Sequence, residues 1–140
     1  MNRIHPRIKP TLWRRIGCKI GKNVSIGYDV YLDVHNARLL TVEDGVWIAS
    51  RSVLFCHKRD LTAYYKGEDY NKLTYKKLPI YLKKGCVVGI GCMIMPGVTI
   101  GEGSIIGAGS LVINDIPAWS IAVGHPAKVV KEIPERPQEV

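Results

Sequence analysis

A hydrophobic period of six runs through this chain. Aliphatic residues stand at Ile20, Ile26 and Leu32, then at Val42, Ile48 and Leu54. The longest run is Leu82, Val88, Ile94, Ile100, Ile106 and Val112. The next residue is often glycine (Gly21, Gly27, Gly89, Gly101, Gly107). The fifth place is small or β-branched: Val24, Val30, Val46, Ser52, Cys86, Cys92, Val98, Ser104 and Ser110. A helix repeats at 3.6 residues and an alternating strand at 2, so neither fits. A short strand followed by a turn does, with places one and five pointing inward and the glycine permitting a tight corner. Three such hexads close one triangular coil, so residues 18 apart stack: Leu82 under Ile100, Val88 under Ile106, Ile94 under Val112, Cys86 under Ser104. The fold class predicted is all-β, a parallel β-helix forming one domain over residues 1–140.

Stacked coils bury a continuous core but leave two open ends. An open end invites strand pairing unless it is covered. The stretch 6–16 is predicted helical, within an N-terminal cap of residues 1–16. Pro117 is expected to stop the strand pattern, and Ala127 to Ile133 to form a short helix in a tail of residues 117–140. The period breaks twice. A few extra residues lie between Leu32 and Val42, and a polar excursion with four tyrosines runs from His57 to Pro79. A long loop on a rigid scaffold is where function concentrates.

Composition excludes several classes. Apolar residues make up 46% and charged residues 23%, enough for a core. No apolar run reaches the roughly 18 residues of a membrane span. Met1 to Arg15 holds Arg3, Arg7, Lys9, Arg14 and Arg15 but no signal-peptide core, so a cytoplasmic protein with reduced thiols is expected. The net charge of +8 attracts anions without naming them, and a solvated basic face explains it equally well. Cys18, Cys56, Cys86 and Cys92 form no C-x-x-C pair, which argues against a zinc knuckle. Cys86 and Cys92 fall on small core positions of the repeat.

The run IMPGVTIG-x-x-S-IIGAGS-x-V, followed by G-x-PAK within residues 87–133, resembles the hexapeptide-repeat acetyltransferases. Within them it is most similar to the galactoside, maltose and polysaccharide O-acetyltransferases. The resemblance spans about Gly17 to Ile133. It implies a left-handed β-helix, a homotrimer with sites between neighbouring subunits, and acetyl-CoA as co-substrate with no metal. It also implies a small acceptor, a sugar hydroxyl in polysaccharide or lipopolysaccharide assembly, and no nucleic-acid partner.

The resemblance puts the catalytic base at His57, in LFCHKRD, where the repeat stops. Imidazole titrates near neutral pH and can take a hydroxyl proton as the oxygen attacks a thioester. Asp33, where glycine is usual, would face the acceptor or orient His57, and an ordinary turn Asp explains it equally well. Gly89, Gly91, Gly107, Ala108 and Gly109 would leave a corner open to a pantetheine arm, with backbone contacts from Ile90 and Ala108. Lys128 and Lys131 match basic positions that meet CoA phosphates. His35 near Asp33 is a surface or site-lining residue. His5 sits in the basic N-terminus, His125 is structural or peripheral to CoA, and Asp60 and Glu68 are weaker candidates. Tyr64, Tyr65, Tyr70 and Tyr75 would stack on a sugar or staple the loop. Three rivals remain: N-acetylation of an amino sugar, a noncatalytic trimer, and a zinc hydro-lyase like the γ-class carbonic anhydrases. The last would need three convergent histidines, and no H-x-x-x-x-H is present.

Overall fold

Each hexad contributes a strand of two or three residues, and the strands stack into three parallel sheets around one core. The computed structural model describes residues 4–139; Arg3 and the outermost ends of the 1–140 domain lie outside them. The first sheet stacks Lys19–Ile20, Leu40–Val42, Ile80–Leu82 and Thr99–Ile100. The second begins Ser25–Ile26, Trp47–Ile48, Val87–Val88 and Ile105–Ile106. The third stacks Tyr31–Leu32, Val53–Leu54, Met93–Ile94 and Leu111–Val112. The expected stacking holds: Leu82 pairs with Ile100, Val88 with Ile106 and Ile94 with Val112.

The core is the repeat made solid. Every first-place aliphatic except half-buried Ile20 is buried, and so are all the fifth-place residues, Cys86 and Cys92 included. Full burial of each Ile, Leu or Val contributes about 1.5–3 kcal/mol. The second-place glycines serve a different need from the one expected. Gly89 has no left-handed φ; a Cβ there would lie 2.6 Å from the Ile106 carbonyl oxygen and 2.8 Å from the Ala108 nitrogen. It is there so that the next coil can close on it.

The register locates both breaks. The offset between stacked partners is 18 from Leu82 to Ile100, 22 from Ile20 to Val42, and 40 from Val42 to Leu82. The surplus residues are the short 3-10 turn Val34–Leu39 and the excursion that starts at His57. Both leave the coil at the same corner, between the third sheet and the first, in successive coils. The excursion is an antiparallel ribbon, with His57–Arg59 pairing Tyr75–Lys77 and an exposed tip at residues 61–72. Tyrosines staple it. The Arg59 guanidinium lies 4.2 Å from the Tyr75 ring centre and 5.3 Å from that of Tyr70, and it donates to the Leu73 carbonyl at 2.5 Å.

At the first open end the helix Lys9–Arg15 covers the coil, with Trp13 buried beside Cys18. Exposed strand ends leave carbonyls without partners, and the helix supplies the donors. Arg14 reaches the Ile20 and Gly21 carbonyls at 3.0 and 2.6 Å, and the Lys9 ammonium reaches that of Gly27. Part of the basic N-terminus is therefore structural and not a solvated face.

The other end departs from expectation. Pro117 does not end the strands: Ser120–Gly124 adds a parallel strand to the second sheet. Ala127–Glu132 is not a helix but an antiparallel strand on that sheet's edge. The β-branched pair Val129–Val130 favours a strand, and pairing covers an edge that a helix would have left open. Among the described residues no helix is long and apolar enough to cross a membrane.

Candidate active site

The doubly broken corner assembles a polar cluster on the apolar coil. Leu32 stacks on Leu54, so the residues that follow each, Asp33 and the segment leading to His57, meet across the gap. His57 Nδ1 lies 2.5 Å from Asp33 Oδ2. The same oxygen accepts from Asn36 Nδ2 at 3.0 Å and from the Cys56 amide at 3.2 Å. The Asp33 side chain is 3% exposed and that of His57 33%. A carboxylate only accepts, so Nδ1 carries the imidazole proton and Nε2 keeps its lone pair. Asn36 Nδ2 stands 3.4 Å from His57 Nδ1, two donors sharing one acceptor. Burial alone would raise the Asp33 pKa. The hydrogen bonds from His57, Asn36 and the Cys56 amide outweigh it and hold the group below the ordinary carboxylate value. Asp33 is thus a buried anion beside the imidazole.

A cleft of about 220 Å³ opens on this pair, lined by Asp33, His35, Asn36, His57, Tyr75 and Lys77. Tyr75 meets the imidazole edge-on, with ring centres 5.4 Å apart. Sequence reading missed Asn36 and Lys77. Asn36 lies outside the hexads, and its only signal is its place three residues after Asp33. A larger cavity, about 650 Å³, lies along the first sheet, lined by Arg14, Lys19, Glu43 and Lys84 among others. It holds no histidine, and both its carboxylates bond neighbouring amides: Asp44 that of Lys22, Glu43 that of Lys84.

The glycine corner lies elsewhere, between the second and third sheets. Gly91 and Gly109 adopt φ of +66° and +71°, and a Cβ on either would meet nothing within 4 Å. That surface is open. Gly89 and Gly107 are filled instead by packing, Gly107 against a Val123 methyl. The Ile90 carbonyl accepts the Gly109 amide at 2.7 Å, while its side chain is exposed. Lys128 pairs with Val123 and Lys131 with Ile121 across a bulge. Directly opposed residues share a face, so both lysines join the sheet's outer face, Lys128 in the row of Val123 and Gly107 and Lys131 in that of Ile121 and Ile105. The whole third sheet separates this corner from His57. One chain does not bring the two together.

The remaining candidates are engaged locally. His5 accepts the Arg7 amide, and His125 Nε2 donates to the Gly109 carbonyl. Asp60 accepts from Thr62, and Glu68 from the Tyr65 amide. All four cysteines are buried free thiols. Burial pushes Cys18 and Cys86 up to about 12 and Cys56 to about 11. Among the described residues no three His, Cys, Asp or Glu side chains gather as metal ligands.

Comparison with known proteins agrees with this architecture. Residues 79–114 match the family model for the bacterial transferase hexapeptide of six repeats. No curated protein sequence matches. Among solved structures, the polySia-specific acetyltransferase NeuO is 29% identical with a TM-score of 0.62; the match covers 86% of this chain and 55% of that one. A maltose O-acetyltransferase from Clostridium difficile 630 is 24% identical, with a TM-score of 0.66 and coverage of 96% and 80%. AntD, an N-acyltransferase from Bacillus cereus, was solved with dTDP and 3-hydroxybutyryl-CoA. It is 21% identical, with a TM-score of 0.60 and coverage of 96% and 92%. Residues 79–114 thus carry the hexapeptide repeat, and the chain shares the left-handed β-helix fold of these acyltransferases.

Proposed function

We propose that the chain is an acyltransferase that moves an acetyl group from acetyl-CoA to a sugar hydroxyl, with His57 as general base. The observation that carries this reading is the His57–Asp33 pair, set in a cleft at the foot of the ribbon. Nε2 takes the acceptor proton as the oxygen attacks the thioester carbon, and returns it to the departing CoA sulfur. Asp33 holds the imidazole in the required tautomer and balances the imidazolium while it lasts, as an orienting carboxylate does elsewhere. No covalent enzyme intermediate is needed. Holding both substrates in one cleft removes much of the entropic barrier.

The donor lies along the open corner at Gly91 and Gly109, with Ile90 and Ala108 as backbone contacts and Lys128 and Lys131 at its phosphates. That corner and His57 come together in a homotrimer, each site built between neighbouring copies. Exposed Trp47 and Ile105 on the second sheet, and Tyr31 and Met93 on the third, supply apolar faces for the contact. Four reduced cysteines suit a cytoplasmic enzyme, where acetyl-CoA is at hand. The likeness to the polySia-specific acetyltransferase supports a surface-glycan acceptor. N-acylation of an amino sugar is the second reading, favoured by the likeness to an N-acyltransferase; the same base serves an amine.

The test is acetyl-CoA consumption against sugars, amino sugars, nucleotide-sugars and amino acids, with wild type and His57→Ala. Loss of the base should cost about 10²–10⁴-fold in turnover while the trimer persists. Near-wild-type turnover in His57→Ala overturns the assignment. Serine as sole acceptor overturns the glycan.

A further inference from the structure

The ribbon that walls the cleft places its charges unevenly. His57 is paired with Lys77, Lys58 with Lys76, and Arg59 with Tyr75. Opposed residues share a face and alternate along the strands, with Cβ atoms about 5 Å apart. His57, Lys77, Arg59 and Tyr75 therefore occupy one face, and Lys58 and Lys76 the other.

On the far face Asp60 offsets the lysines: hydrogen bonds from Thr62 lead in holding it ionised, and Lys76 and Lys58 add to the effect. On the His57 face no such offset exists. Arg59 is engaged by the Leu73 and Asn71 carbonyls and by two tyrosine rings. Asp33 is the cleft's only carboxylate, and it is buried under three donors. Lys77 is exposed at the rim and belongs to neither of the ion pairs found among the described residues, His57–Asp33 and Lys83–Glu43. The opposite wall, where Asp33 stands, adds His35 and Asn36 and no further carboxylate.

Lys77 faces His57 itself across the ribbon, an exposed ammonium outside those ion pairs directly beside the imidazole that opens on the cleft. A neutral acceptor offers the ammonium only a hydroxyl oxygen, whereas a carboxylate or phosphate meets it with opposite charge as well as a hydrogen bond. We infer that the acceptor is an anionic sugar, bearing a carboxylate or a phosphate, whose charged group Lys77 holds beside His57. This rests on the reading of His57 as the base.

Two matched pairs test it: galacturonate against galactose for a carboxylate, and glucose 1-phosphate against glucose for a phosphate. The readouts are the ratio of kcat/KM within each pair and, independently of turnover, the ratio of binding constants by calorimetry. Wild type should favour the anionic member of one pair by about tenfold or more. Lys77→Gln should bring that ratio to near one, and Lys77→Arg should restore most of it. In His57→Ala the binding ratio should persist while turnover is lost, so failure of the base assignment reads separately. The proposal is overturned if wild type shows no anionic preference, if neither pair binds, or if the ratio survives Lys77→Gln. A change confined to the KM for acetyl-CoA overturns it as well, since Lys77 would then belong to the donor.

Discussion

Two corners of this β-helix are made from the same hexad, and only one of them is broken. Between the second and third sheets, Gly89–Gly91 and Gly107–Gly109 repeat at the 18-residue offset, one above the other, with the Gly109 amide on the Ile90 carbonyl. Stacking dictates nearly every atom there, so the corner offers a partner backbone and empty space. Between the third sheet and the first, the chain departs twice, at Val34–Leu39 and after His57. Freed from the stack, side chains from the two departures meet, and a buried carboxylate, a carboxamide and an imidazole share one oxygen's worth of hydrogen bonds. A regular coil can cradle a ligand. It takes an interruption to aim a titratable side chain, and two stacked interruptions to give that side chain a partner.

The contrast breaks first at Asp33. Asp33→Asn keeps size and burial but replaces a pure acceptor with a group that can also donate, so the imidazole loses its enforced tautomer. We expect kcat to fall by about 10²–10⁴-fold with little change in the KM for acetyl-CoA, measured by steady-state kinetics. A loss below fivefold would make the broken corner a structural feature only. The same variant has a pH signature. The folded-state pKa of Asp33 is lowered, so its stabilisation is complete above the ordinary carboxylate value of about 3.9 and drains away as pH falls through the folded value. Unfolding temperature followed downward from about pH 6 should therefore fall less steeply in Asp33→Asn than in wild type.

Stability should divide along the same line. Ile94 is fully buried in the uninterrupted run, and Ile94→Ala should cost about 2–5 kcal/mol through lost transfer energy and a cavity. Tyr65, 67% exposed at the ribbon tip, should cost about 0.5 kcal/mol or less as Tyr65→Ala. Chemical denaturation reads both. Comparable losses would mean that the ribbon is part of the core and not an addition to it.

The same line separates what could be read from sequence. Core positions were legible because each place in the hexad repeats, so one wrong assignment would contradict eleven others. The breaks were legible as lost phase. The Asp33–His57 contact was legible only as one of several readings of Asp33, because it joins residues 24 apart whose approach depends on how many extra residues each coil carries. Asn36 stood in a segment with no pattern. Lys9 and Arg14 read as surface charge because sequence does not show which carbonyls an open end strands. The final strand was missed because Val129–Val130 was the only strand signal in a charged segment, and its pairing partner lay beyond Pro117, where the period had already stopped.

The unbroken corner has a test of its own, and it is the smallest kinetic effect expected. Lys128 sits opposite Val123, whose methyl abuts Gly107, and the bulge turns Lys131 to the same face. If that corner receives the donor, Lys128→Glu should raise the KM for acetyl-CoA about three- to fivefold, the size of an exposed charge contact, and change kcat at saturation less. Because the contact is exposed, the difference should shrink as salt approaches about 1 M, where screening length falls to about 3 Å. Asp33→Asn should show no such salt dependence, since its partners are buried. An unchanged KM in Lys128→Glu would leave Gly91 and Gly109 as turns alone and remove the positive charge of the last strand from the donor's path.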